Sequence, residues 1–346
     1  MAQGATLRDR FSRPWRQVAL HSGFPSAVVS CHVVGMNDLV LPSGTPASRF
    51  AFGTMQFGGP ADEAESRAMF DACRAAGITH FDTAVGYTDG ASERILGALA
   101  AEDREDVYIA TKIGYDGGGT RESLQAQFDQ SRRQNGLDYV DLLYLHRFQG
   151  DTPLETQFTL LRDWQEAGLI RHIGVSNYAA WQVMKAQDVC KGLGTRIDAI
   201  QPMFNLVKRQ AEVEILPMAA DQGIAVLPYS PLGGGLLTGK YARPDASGRV
   251  VENAMYARRY APDWMRETAA GLARLAEEIG TSPATLAVAW VAAHPAGPMP
   301  IISARNVAQL RPSLDAIDFP MTAELHDRIS ALSVTPPPAT DRLEEA

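Results

Sequence analysis

The sequence predicts an α/β fold, a (β/α)8 TIM barrel with an N-terminal hairpin and long rim loops, on three observations. Eight short apolar runs alternate with amphipathic stretches of roughly 10 to 16 residues. Glycines stand where several of those stretches must stop. Polar residues close or directly follow successive apolar runs, at Asp82, Lys112, His146, Ser176, Asn177, Gln201 and Tyr229. Alternating strands and helices argue for a parallel sheet. The third observation selects the closed form, because a barrel gathers its strand ends at one rim while an open sheet spreads them along a line. No GxGxxG follows an early strand, which argues against an open dinucleotide-binding sheet.

In chain order, strands are predicted at 49–53, 79–82, 107–111, 140–145, 172–175, 199–201, 225–228 and 300–302. Helices are predicted at 63–76, 122–134, 154–167, 211–222 and 284–294 among the intervening stretches. Gly77, Gly168 and Gly223 each fall where a helix should end in a left-handed residue. Thr281-Ser282-Pro283 reads as a cap followed by Pro in the first turn. Before the first strand, 39–47 holds Pro42, Gly44 and Pro46 and is read as a small hairpin. The stretch 232–263 is long and Gly-rich at its start, as rim loops that cover ligands are.

These elements place one barrel over 36–333, within a chain of 346 residues. Residues 1–35 read as a poorly ordered extension. Arg8, Arg10, Arg13 and Arg16 precede an apolar stretch at 27–34, but Ser30 and His32 interrupt it and no clear cleavage site follows. Met36 is a candidate functional start. The segment 334–346, Pro-rich and then charged, reads as a flexible tail.

Composition removes several classes of function. Apolar residues make up 45% and charged ones 21%, as in ordinary globular chains. The net charge of -8 and the scattered Lys and Arg argue against a nucleic-acid partner. No run reaches the roughly 18 apolar residues of a membrane span. The 3 cysteines, Cys31, Cys73 and Cys190, form no CxxC, which fits a reducing cytoplasm without structural zinc.

Carbonyl reduction by hydride needs a proton donor within reach of the oxygen. A phenol is a reluctant donor, and a nearby ammonium lowers its pKa. A carboxylate keeps the ammonium charged and aimed, and an imidazole can give the oxygen a second hydrogen bond. Tyr87, Lys112, Asp82 and His146 supply one of each. Asp82 and Tyr87 lie in FDTAVGYTDGASERILG (81–97), Lys112 in VYIATKIG (107–114) and His146 in DYVDLLYLHR (138–147).

These segments resemble the tetrad motifs of the aldo-keto reductase superfamily, in the pattern of bacterial members related to potassium-channel β-subunits. The similarity continues through IGVSNY (173–178), AIQPMFNL (199–206) and YSPLGGGLLTGKY (229–241), and spans roughly 39–333. The resemblance implies an NAD(P)-dependent oxidoreductase acting on an aldehyde or ketone, or on the matching alcohol. Tyr87 would be the general acid, Lys112 and Asp82 its tuning pair, and His146 the residue that orients the carbonyl. Ser176, Asn177 and Gln201 would hold the carboxamide of a nicotinamide, with Tyr229 behind its ring. Ser230, Leu232, Gly233, Gly234 and Lys240 would serve the pyrophosphate. Thr54 and Met55, at the end of the first strand, are candidate contacts to cofactor or substrate. Ser303, Arg305, Gln309 and Ser313 would hold the adenosine end. Arg305 can pair with a 2′-phosphate, which favours NADP(H), with NAD(H) the alternative. The family usually has Glu-Asn where this chain has Pro312-Ser313.

Plainer readings stand beside these. His80 and Asp82 share a strand face, as in barrel metallohydrolases, but a metal needs three or more ligands and His146 is the one companion, so no metal is expected. Gly117–Gly119 reads as a rim turn, since no Lys-Ser/Thr follows. Trp164, Trp181 and Trp290 fall on helical periods and read as core. Phe148 can wall the pocket. The rival in another class is a dinucleotide-sensing regulatory subunit with little turnover, because the β-subunits of potassium channels resemble this family too.

Overall fold

The computed structural model describes residues 39–242, 247–342 and 344. The extension expected over 1–35, with Cys31, lies outside the described residues. Eight strands follow one another as β1 (Ala51–Gly53), β2 (His80–Asp82), β3 (Tyr108–Ile113), β4 (Val140–Leu145), β5 (Ile170–Ser176), β6 (Ala199–Gln201), β7 (Ala225–Val226) and β8 (Ile301–Ile302). All pairings are parallel, in the order β7-β6-β5-β4-β3-β2-β1-β8. The ends of that order also meet. The Met299 N–H donates to the Val226 carbonyl at 2.8 Å and the Ile301 N–H to the Pro228 carbonyl at 2.9 Å. The arrangement is consistent with a (β/α)8 barrel.

The helices are α1 (Glu63–Ala75), α2 (Ala91–Ala101), α3 (Arg121–Asn135), α4 (Leu154–Glu166), α5 (Ala180–Gly192), α6 (Ile215–Gln222), α7 (Arg249–Glu252), α8 (Ala254–Arg259), α9 (Asp263–Glu278), α10 (Pro283–Ala292), α11 (Val307–Leu314) and α12 (Ala323–Ser330). Their ends follow local chemistry. The Asp62 carboxylate caps α1 by accepting from the Glu65 N–H, and Ser282 caps α10 with Pro283 in the first turn. Gly77, Gly168 and Gly223 take the left-handed conformation expected of them. No helix among the described residues is long and apolar enough to cross a membrane.

Strand alternation divides the core. Ala51, Tyr108, Ala110, Leu142, Tyr144 and Ile301 pack into one cluster, while Phe52, Phe81, Ile109, Leu143 and Ile302 pack into the other with the helices. Gly174 pairs with Tyr144 across β4 and β5, and a Cβ there would collide with the Tyr144 ring. Leu39, Leu41 and Ala47 join the first cluster, and Val40 and Pro46 form one antiparallel bridge. Trp164 and Trp290 are buried as expected. Trp181 is not: it is 62% exposed, because the face of α5 that packs carries Ala180, Val183, Ala186 and Cys190.

His80 sits in register between Ala51 and Tyr108, fully buried, with neither ring nitrogen hydrogen-bonded. Burial, with the charges of Lys112 and His172, lowers its pKa to about 3. The folded state therefore resists a proton that the unfolded chain takes up near its ordinary value of about 6.5. The resulting stability is present above pH ~6.5 and is lost as pH falls from there toward ~3. Urea midpoints measured between pH 7 and pH 4 should fall less in His80→Leu than in the parent; equal falls would refute this. Among the described residues no cluster of three His, Cys, Asp or Glu side chains could hold a metal.

Candidate active site

Strand register brings the polar ends together. Asp82 ends β2, Lys112 is in β3, His146 follows β4, Ser176 ends β5, Gln201 ends β6, and Tyr229 follows β7 with a parallel bridge to Ile301. These are the C-terminal ends of consecutive parallel strands, where barrel enzymes place their chemistry. Tyr87 opens a short turn after β2, Tyr87–Gly90, in which Thr88 and Asp89 take left-handed backbone angles.

Lys112 is fully buried. Its Nζ donates to Asp82 Oδ1 at 2.5 Å and to the Thr83 carbonyl at 2.6 Å. Gln201 Nε2 donates to the other Asp82 oxygen at 2.9 Å. The same ammonium lies 5.0 Å from the centroid of the Tyr87 ring. Burial works against the charge on Lys112, yet Asp82 and Tyr87 together hold its pKa above the ordinary value. Burial raises the Asp82 carboxyl, opposed by Lys112 and Gln201. Burial likewise raises the Tyr87 phenol, with Lys112 pulling it back down. At neutral pH the phenol thus carries its proton beside a cation that favours its loss.

The rings of Tyr87 and His146 lie 6.1 Å apart, edge to face. Burial, reinforced by the charges of Lys112 and Arg147, lowers the His146 pKa to about 3. Its imidazole is neutral at physiological pH and can donate one hydrogen bond. Asn177 Nδ2 donates to the His146 carbonyl at 2.9 Å and to Ser176 Oγ at 3.1 Å, while Asn177 Oδ1 accepts from the Tyr229 hydroxyl at 2.7 Å. Asn177 holds these contacts in a left-handed conformation, as does Ser230.

A cavity of about 1380 Å³ opens over this set. Asp82, Tyr87 and His146 line it with Met55, Ser176, Asn177, Gln201, Tyr229, Ser230, Leu232, Gly234, Lys240, Ser303, Arg305 and Gln309. Three expected contacts lie off its wall. Thr54 is fully buried, and its hydroxyl is already bonded to Ser92 Oγ and the Asp82 carbonyl. The Gly233 N–H is already donated to the Ser230 carbonyl at 2.9 Å, so it is not free for a phosphate. Ser313 is buried in α11, and Pro312 lines the cavity instead.

The cavity also has walls that the sequence did not single out: Tyr115, Arg147, Arg249, Tyr256 and Arg259. Arg147 was readable, since it follows His146 directly. The others come from irregular loops and short helices with no period to mark them. Glu93 of α2 is a further buried group. It accepts from Thr111 at 2.6 Å and Ser131 at 2.5 Å, and burial raises its pKa to about 7 against those bonds.

A nicotinamide dinucleotide fits the residues present. Ser303 Oγ is buried on the cavity wall without a partner, an atom that a ligand would satisfy. Gly234 has a left-handed φ of 66°, and a Cβ there would meet the Tyr256 ring at 2.7 Å, so the backbone stays bare beside the cavity. Lys240 and Arg305 make no ion pair among the described residues and are free to meet phosphate.

Comparison with known proteins gives the family. Residues 49–334 match the family model described as the aldo/keto reductase family. A probable voltage-gated potassium channel subunit beta from Oryza sativa subsp. japonica is 32% identical over 86% of this chain and 97% of its own length. An uncharacterized oxidoreductase, YrpG, from Bacillus subtilis is 31% identical, covering 82% of this chain and 91% of its own. An L-glyceraldehyde 3-phosphate reductase from Escherichia coli is 31% identical over 70% of this chain and 75% of its own. The chain belongs to the aldo/keto reductase family.

Proposed function

We propose that the protein is an NADP(H)-linked oxidoreductase that interconverts a small aldehyde or ketone and its alcohol, with Tyr87 as general acid and base. The observation that carries this reading is the buried Asp82–Lys112 pair beside the Tyr87 ring at the cavity floor. A bound nicotinamide supplies the hydride to the carbonyl carbon. Tyr87 gives its proton to the carbonyl oxygen, and Lys112 stabilises the phenolate that remains. Asp82, bonded by Gln201, keeps Lys112 charged and aimed. Neutral His146 donates a hydrogen bond to the same oxygen and fixes its direction. Met55, Ser176, Asn177, Gln201, Tyr229, Ser230, Leu232, Gly234, Lys240, Ser303, Arg305 and Gln309 are the residues that would hold the dinucleotide.

The relatives named as an oxidoreductase and as an L-glyceraldehyde 3-phosphate reductase support turnover. The relative named as a potassium-channel subunit supports the second reading, a dinucleotide-binding regulatory subunit. NADPH consumption with a panel of aldehydes separates the two: steady turnover supports the enzyme, and tight binding without turnover supports the subunit.

NADP(H) is the expected partner because Arg305, which makes no ion pair among the described residues, offers its guanidinium to a 2′-phosphate. Calorimetric titration should show NADPH binding more tightly than NADH. Arg305→Ala should weaken NADPH by about tenfold and NADH little. Equal loss for both, or no binding of either below millimolar, would overturn the assignment. We read residues 39–47 as a short hairpin against the barrel interior, 36–333 as the catalytic domain, and 334–346 as a tail outside it.

A further inference from the structure

The cavity of about 1380 Å³ is larger than the roughly 300–1,000 Å³ of sites that hold one small ligand. The residues read as dinucleotide contacts follow β1 or lie at and beyond the ends of β5 to β8. The sector after β2, β3 and β4 remains, and the cavity runs into it. Val85, Asp116, Gly117, Ser123, Ala126 and Gln130 line this arm, and the cofactor uses none of them.

Two loops that flank the reacting groups wall the arm, and both are bonded to α3. After β3, the Tyr115 ring stands 4.9 Å from the His146 ring, and Asp116 follows it. Gln127 holds this turn on the helix. Its Oε1 accepts from the Gly114 N–H at 2.8 Å, and its Nε2 donates to the Asp116 carbonyl at 3.1 Å and to Ser123 Oγ at 3.0 Å. Gly117 has a φ of 83°, and a Cβ there would stand 3.2 Å from Ser123 Oγ, so the turn lies against the start of α3. After β2, just before Tyr87, the Val85 N–H donates to the Lys112 carbonyl at 3.1 Å. Gln134, oriented to donate its amide to the Val85 carbonyl at 3.1 Å, accepts from Gln130 Nε2 at 2.9 Å.

These bonds leave particular polar groups over. Ser123, Ala126, Gln127 and Gln130 share one helix face. Both ends of the Gln127 amide are used. Ser123 Oγ accepts from it and keeps its own hydrogen to give, and Gln130 keeps its oxygen. The Asp116 carboxylate makes no ion pair among the described residues. Asp116 and Arg147, whose guanidinium lies 5.0 Å from the Tyr115 centroid, give this end one charge of each sign. Net charge therefore selects neither anion nor cation, and hydrogen bonding is left to discriminate.

We propose that the arm between the 114–117 turn and α3 is a substrate subsite, and that the preferred substrates are uncharged carbonyl compounds whose chain carries hydroxyl groups, bound by Asp116, Ser123 and Gln130. A hydroxyl both donates and accepts, so it can meet the acceptors on Asp116 and Gln130 and the donor on Ser123. An alkyl chain would displace water from these groups and give no hydrogen bond in return. The proposal rests on the reductase reading and gives that reading a substrate class.

A matched pair of substrates tests it with NADPH as donor. Threose and butanal share a carbon chain and differ in hydroxyls. Their kcat/KM ratio, per free aldehyde, is compared with the rate ratio that borohydride gives for the same pair, which reports the intrinsic reactivity of the two carbonyls. The parent ratio should exceed the borohydride ratio by about tenfold or more, mainly through KM. Asp116→Ala, Ser123→Ala and Gln130→Ala should each lower it severalfold, and the triple variant should bring it close to the borohydride value. Ala126→Phe, which puts a ring into the arm, should raise KM for threose more than for glycolaldehyde, whose chain is shorter. As a readout separate from turnover, threitol, which has no carbonyl to reduce, should compete with the aldehyde, and its inhibition constant should rise about tenfold in the triple variant. A parent ratio equal to that of borohydride, or an excess that survives all three substitutions, overturns the subsite and leaves the reductase reading standing. No NADPH oxidation with either compound or with a wider aldehyde panel overturns both.

Discussion

Tyr87→Phe should lower kcat for carbonyl reduction by about 10²- to 10⁴-fold, the range for losing a positioned general acid, and should leave NADPH affinity nearly unchanged. The substitution removes one oxygen beside Lys112 and keeps the ring that meets His146 edge to face. The loss should fall on kcat rather than KM, because the proton is needed as hydride arrives rather than on binding. In the parent enzyme the same geometry sets the pH profile. Burial holds the Tyr87 phenol above its ordinary value and His146 near 3. Neither group changes charge between about pH 6 and pH 9, so reduction should be level there. It should decline on the alkaline side of the ordinary phenol value of about 10. Steady-state kinetics across that range checks both statements. A Tyr87→Phe enzyme with more than about a tenth of the parent kcat would remove the phenol from its assigned role.

Lys112→Met should cost both activity and stability. The ammonium is fully buried and bonded to Asp82 Oδ1 and the Thr83 carbonyl. Removing it leaves a buried carboxylate without its counter-charge, which costs about 3–5 kcal/mol in comparable sites. In the proposed mechanism it also takes away the charge that would stabilise the Tyr87 phenolate, so kcat should fall at least as far as in Tyr87→Phe. The double variant Lys112→Met/Asp82→Asn separates the two effects. With the carboxylate replaced by a neutral amide, much of the lost stability should return, because the amide oxygen can still accept from Gln201 Nε2. Activity should not return. Denaturant melts and turnover on the two variants measure this. A Lys112→Met protein as stable as its parent would mean that the pair is more hydrated than its burial indicates.

Much of this fold is legible in the sequence because parallel strands buried on both sides stand out as short apolar runs between amphipathic helices. The runs at 140–145 and 199–201 match β4 and β6 at both ends. The run at 225–228 shortens to Ala225–Val226, and the main-chain groups beyond it turn to β8 and to the segment after β6: the Pro228 carbonyl accepts from Ile301, and the Tyr229 N–H donates to the Pro202 carbonyl. The rim loop 232–263 is less readable. Its α7 and α8 are helices of 4 and 6 residues that owe their form to tertiary contacts rather than to a hydrophobic period.

The candidate site divides in the same way. Asp82, Lys112, His146 and Gln201 are tied to strand ends, so their convergence follows once the barrel is inferred. Thr54 directly follows a strand, but its hydroxyl is taken up by Ser92 Oγ and the Asp82 carbonyl. Gly233 falls within a turn whose N–H groups are partly used internally, which composition does not reveal. Tyr115 reaches the cavity from a loop, and Tyr256 and Arg259 from the short helix α8. Their placement depends on the path of the backbone around the rim, and residue type alone gives no sign of it.

Isotope transfer shows whether hydride passes from the dinucleotide to a carbonyl carbon at this rim, with the oxygen left for Tyr87 to protonate. NADPH deuterated at the transferring position of C4 is incubated with the protein and an aldehyde that it consumes, and the alcohol is examined by NMR. One deuterium should appear on the carbinol carbon, with no solvent hydrogen added there. Alcohol carrying solvent hydrogen on that carbon, or dinucleotide that binds but is never oxidised, would contradict it.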